Sequence, residues 1–124
     1  MGPVGGFLRG LVCLEGMRTM AWTYLVCAGL LEIGWPVGLK MAQTEGQRIV
    51  GVVVAIAFML GSGALLWLAQ RDIPLGTSYA VWTGIGAAGT FVFGLLFYGD
   101  VVAVGRILGV TLIVAGVVVL KLAH

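Results

Sequence analysis

AWTYLVCAGLLEIGWPVGLK, residues 21–40, decides the fold. At about 1.5 Å of rise per residue such a stretch makes about 30 Å of helix, the thickness of a bilayer's hydrocarbon core. Its charged side chains are Glu32 and the terminal Lys40. Glu32 falls about 16 Å from the start, close to the midplane. A carboxylate at that depth binds a cation, carries a proton or pairs with a fixed cation. In the other apolar runs Arg71, Arg106 and Lys121 stand only at the ends, so no fixed cation shares its depth. Glu32 therefore reads as a proton- and cation-binding residue.

Two neighbours sharpen the reading. Pro36 has no N–H to give the carbonyl four residues back, which belongs to Glu32. The helix is expected to loosen or kink at the acid, leaving that carbonyl for water, a neighbouring helix or a ligand. Trp35, three residues from Glu32, shares its face and has an indole N–H to offer.

Composition carries the same message across the chain. Of 124 residues 60% are hydrophobic and 10% charged, and the mean hydropathy is +1.12, far from a soluble domain. The net charge of +2 comes from residues scattered at run ends, which excludes a nucleic-acid-binding patch. Cys13 and Cys27 form no disulfide framework, and with His124 the lone histidine they supply no metal or haem ligand set. No phosphate-binding glycine loop is present, so ATP does not drive the process, and no cofactor is called for. No nucleophile–base pair accompanies the acid, which makes an enzyme the weakest reading.

Read in order, the chain gives four spans: about 21–40, 49–69, 76–98 and 102–122. Residues 1–19, MGPVGGFLRGLVCLEGMRT, are too interrupted to span and read as an extension, disordered or resting on the membrane surface, upstream of a natural start at Met17 or Met20. The four-span domain is then 20–124. Trp22, Tyr24 and Trp67 suit an interfacial aromatic belt. On the second span Met59 precedes Ser62, whose hydroxyl either bonds its own helix at i−4 or serves a site. On the third, opened by Pro74, Tyr79, Trp82, Thr83 and Gly86 recur at helical spacing as one polar-aromatic face. Gly84, Gly86 and Gly89 suit close packing or a hinge. On the fourth, Gly109 and Gly116 lie two turns apart and suit a helix contact, read as a dimer seam.

Charge at the ends gives no orientation. Arg9, Arg18, Arg71 and Lys121 on one side face Lys40, Arg48 and Arg106 on the other, so the positive-inside rule casts no clear vote. Such a chain inserts both ways. Four helices enclose a passage poorly, and two copies in opposite orientation would bring two Glu32 side chains together near the midplane, as inverted repeats do in larger transporters.

From Met20 onward the sequence resembles the small multidrug resistance transporters, and among them the guanidinium exporters. The resemblance rests on MAW at 20–22, AGLLEIGW at 28–35, GLK at 38–40, IPLGTSYAVWTGIGA at 73–87 and LIVAGVVVLK at 112–121. It implies an all-α antiparallel dual-topology dimer in the bacterial inner membrane. It implies that proton and substrate alternate at Glu32, with Trp35, Met59, Ser62, Tyr79 and Trp82 lining the pocket. Drug-exporting relatives lack the Glu-x-x-Trp pairing, so the resemblance favours guanidinium. Some members work only with a sister chain, which leaves homodimer and heterodimer both open. Pro36 departs from the family, which has an ordinary helix former there.

Guanidinium presents N–H donors in a fixed fork that carboxylates accept two at a time, and aromatic faces attract it. The expected activity is guanidinium/proton exchange. The alternative within transport is a polyspecific exporter of quaternary ammonium cations, needing a larger and softer pocket. A structural membrane subunit, with Glu32 fixing helix pairing, is the reading outside transport.

Overall fold

The computed structural model describes residues 3–123, with the side chains of 4–11, 16 and 19–123. Cys13, Met17, Arg18 and His124, named above, lie outside the described side chains. The chain is four helices: α1 Pro3–Ala42, α2 Arg48–Ala69, α3 Leu75–Phe97 and α4 Val104–Ala123. Four segments, Thr19–Ala42, Arg48–Ala69, Leu75–Phe97 and Val104–Ala123, are long and apolar enough to cross a membrane. The expected all-α, four-span architecture is what the chain adopts.

The first helix differs from expectation. Residues 3–19 are helical and continue into the first span as one helix of 40 residues, where no regular structure was expected of them. Pro3 sits in the first turn, where its missing N–H costs nothing, and no other proline interrupts the chain before Pro36. A helix of that length measures about 60 Å, twice a bilayer core, so its first turns project beyond the span. Nothing lies within 4 Å of the Cβ positions of Gly6, Gly10 or Gly16. Pro36 lies inside the helix, which remains helical through it to Ala42.

Turn chemistry sets the other boundaries. Gly46 takes φ +84° in the first loop. The tight second turn is closed by Asp72 and Ile73 N–H groups on the Ala69 carbonyl, and Pro74 caps α3 as its sequence position predicts. At the end of α3 the Gly94 carbonyl accepts from both Tyr98 and Asp100, with Gly99 between them at φ +63°, a conformation glycine adopts without penalty. The fourth helix begins at Val104, two residues later than the hydropathy suggested, because Asp100–Ala103 runs as a linker.

Helix α1 lies between α2 and α3, which touch each other little, and α4 lies along α3. Close approach of α1 to α2 depends on small residues: a Cβ at Gly38 would meet the Ala55 nitrogen at 2.6 Å and the Gly51 oxygen at 2.8 Å. The core is at the opposite end, where Ala21, Trp22, Leu25, Ala69, Ile73 and Val81 pack together. Trp22 therefore departs from the belt expectation. It is 8% exposed, with the Lys121 ammonium 5.0 Å from its ring, because at this point the first span is packed against Ala69, Ile73, Val81 and the end of α4. Trp67 keeps a belt character, 61% exposed with Arg71 over its ring at 4.6 Å. No residue of α4 is buried, and Gly109 and Gly116 face open space.

Candidate functional site

Glu32 is half-buried on the central helix, and α2 and α3 each send it a partner. From α2 comes Ser62, fully buried, with its hydroxyl oxygen 3.5 Å from Glu32 Oε2 and 2.7 Å from the Ala28 carbonyl oxygen. From α3 comes Trp82, whose Nε1–H donates to Ser62 Oγ at 2.8 Å. The serine does not bond its own helix. Its single proton goes to the carbonyl one turn before Glu32, and the carboxylate stands at the outer limit of reach. A small rotation of the hydroxyl exchanges one acceptor for the other. The indole N–H satisfies the serine oxygen in either arrangement, so the hydroxyl is oriented by a donor that does not compete for its proton.

Gly86 gives the acid its place on the α3 side. A Cβ there would lie 2.5 Å from Glu32 Cγ and 3.0 Å from its Cβ, so any larger residue would push the side chain aside. Gly84, two residues earlier, faces Val117 of α4, and Gly89 faces Ile33 of α1. Of the two uses expected for these glycines, close packing is what the static structure displays. Tyr79 stacks tilted on Trp82 with ring centroids 5.5 Å apart, which confirms the shared face read from their spacing. Tyr79 itself is 56% exposed and Met59 50% exposed. Trp35 is half-buried on α1, and none of Trp35, Met59, Ser62, Tyr79 and Trp82 lines the cavity that Glu32 opens into; of the expected site residues Glu32, Pro36 and Gly86 do.

That cavity holds about 450 Å³. Its α1 wall is Glu32 and Pro36, its α3 wall Thr83, Gly86, Ala87, Thr90 and Phe91, and its outer end Asp100 and Arg106. A second cavity of about 190 Å³ shares Pro36, Thr90 and Asp100 and reaches Lys40. Sequence reasoning missed Thr90, Phe91, Asp100 and Arg106 as site residues. The signal for Thr90 was present: the series Tyr79, Thr83, Gly86 extends by one more helical turn to Thr90. Nothing local marks Asp100 or Arg106, since one lies in the linker and the other in the first turn of α4, and only the folding back of the chain there brings them to the opening.

Among the described residues no group of His, Cys, Asp or Glu is arranged to hold a metal ion. Among those same residues Glu32 takes its hydrogen bond from Ser62 and forms no ion pair. The carboxylate thus stands half-buried at a cavity wall with a single neutral donor.

Comparison with known proteins gives the family. The profile of the family described as Small Multidrug Resistance protein matches residues 20–113. A guanidinium exporter of Citrobacter freundii is 47% identical over 105 residues, covering 84% of this chain and 98% of its own. One from Yersinia pseudotuberculosis is 45% identical over 104 residues, with 84% and 99% coverage, and one from Proteus vulgaris 45% identical over 105 residues, with 84% and 99%. With four helices long and apolar enough to cross a membrane and these matches over most of its length, the chain belongs to the small multidrug resistance family of membrane transporters.

Proposed function

We propose that the protein exchanges guanidinium for protons across the bacterial inner membrane, as an antiparallel dual-topology homodimer whose two Glu32 residues form one shared site. The observation that carries this reading is Glu32, held from behind by Ser62 and through it Trp82, on the wall of a cavity of about 450 Å³. The similarity to proteins named guanidinium exporters supports the choice of cation.

Proton and cation compete for the same carboxylate oxygens, so one cannot be carried while the other is bound. That exclusion is what couples them. Ser62 and Trp82 orient the carboxylate toward the cavity, Tyr79 and Trp82 offer ring faces to a planar cation, and Trp35 and Met59 complete the pocket from the second protomer. The open faces of Gly109 and Gly116 supply the seam between protomers. Pro36, Gly84 and Gly86 are the points where α1 and α3 flex as the two protomers exchange roles.

A second reading has one observation in its favour. A volume of about 450 Å³ is that of a drug-sized pocket, larger than guanidinium requires, and it suits quaternary ammonium cations. The two readings separate in proteoliposomes loaded with a pH dye. Guanidinium added outside should drive proton release that weakens as the outside is acidified, because protons then hold Glu32. A response to tetraphenylphosphonium as large as that to guanidinium would favour the polyspecific reading.

A further inference from the structure

The outer end of the Glu32 cavity contains a guanidinium already, that of Arg106. Its Cζ stands 5.2 Å from the centre of the Phe91 ring, and its Nη1 donates to the Val101 carbonyl at 2.9 Å. Asp100 lines the same cavity and the adjoining smaller one, yet among the described residues it makes no ion pair with Arg106. An aromatic face, an in-reach carbonyl and an uncommitted carboxylate are the three elements that recognise a planar N–H-rich cation.

Helix stability does not explain Arg106. It occupies the first turn of α4, where the helix dipole disfavours positive charge, and no acidic residue shares that turn. An arginine at a membrane edge ordinarily extends to water. This one lies on the cavity wall.

We propose that Phe91, the Val101 carbonyl and Asp100 form an outer guanidinium subsite on the way to Glu32, and that Arg106 is its tethered occupant, displaced as substrate passes. The inference rests on the guanidinium reading given above. Asp100 draws the cation to the opening, the Phe91 face holds it, and the departing Arg106 side chain keeps a positive charge nearby that drives it inward toward Glu32.

The test is the concentration dependence of initial transport rates in proteoliposomes for four chains. Asp100→Asn should raise KM for guanidinium about 2–5-fold, the range expected for one exposed charge, and should raise KM more than it lowers the maximal rate. Arg106→Gln should lower KM by a similar factor, because the subsite is vacated. Arg106→Lys keeps the charge and loses the planar fork, so it should fall between wild type and Arg106→Gln. Both residues are exposed, so all the variants should run as the wild type does on size exclusion. Arg106→Lys indistinguishable from wild type would reduce Arg106 to a repelling charge and overturn the occupancy. KM unchanged in Asp100→Asn would overturn the subsite while wild-type transport left the guanidinium reading standing. A wild type that moves no guanidinium would sink both.

Discussion

Trp82 donates its indole N–H to Ser62 at 2.8 Å, and this bond ties α3 to α2 where the two helices otherwise scarcely meet. The serine is fully buried and its hydroxyl ends within reach of Glu32. The bond thus joins all three helices at the one carboxylate the chain holds inside the membrane.

Removing the serine hydroxyl leaves the tryptophan donor without its acceptor. Ser62→Ala should destabilise the protein by about 1–3 kcal/mol and raise KM for guanidinium. Trp82→Phe removes the other partner, and the double variant should cost clearly less than the two single costs together, the signature of a coupled pair. Thermal unfolding in detergent and transport assays on the same preparations check both.

Gly86→Ala should displace Glu32, since the new methyl would stand only 2.5 Å from the glutamate's Cγ. Misplacing a reacting group by about an ångström costs on the order of 10–100-fold in rate, and transport should fall by that much with folding retained. Gly10→Ala, whose Cβ meets nothing, is the control and should transport as wild type does.

Pro36 withholds an N–H from the Glu32 carbonyl and lines both cavities. Pro36→Ala should restore that helical bond, raise stability by about 1–3 kcal/mol and slow turnover while KM changes little. Single-turnover and steady-state rates separate the two effects.

Replacing Gly109 and Gly116 together by leucine fills the open face of α4. The pair Gly109→Leu/Gly116→Leu should shift the protein from dimer to monomer in detergent, with helix content unchanged. Light scattering and circular dichroism read the two quantities. A dimer that survives would place the seam elsewhere.

Span positions were legible because a bilayer imposes a single rule: about 20 apolar residues, closed by polar turns. Pro74 marked its turn through backbone chemistry that does not depend on distant contacts. The length of α1 was not legible, since residues 3–19 have too little hydropathy to span and too many glycines to suggest a helix, and still form one. Trp22 looked like a belt residue because its burial depends on where α3 and α4 cross α1. At the site, Glu32 announced itself by charge at depth and the Tyr79–Trp82 face by spacing. Whether Ser62 would bond its own helix or another was undecidable from spacing; the structure gives its proton to Ala28, across helices. Asp100 and Arg106 reach the cavity through the folding back of a linker, a long-range event that carries no local signal.

The central claim is that Glu32 carries guanidinium in exchange for protons. Its most direct test is the capacitive current on adding guanidinium to reconstituted protein on a solid-supported membrane, with Glu32→Gln and tetraphenylphosphonium beside it. The account predicts a current with guanidinium, a much smaller one with the large cation, and none from Glu32→Gln. A guanidinium current that persists in Glu32→Gln would contradict it.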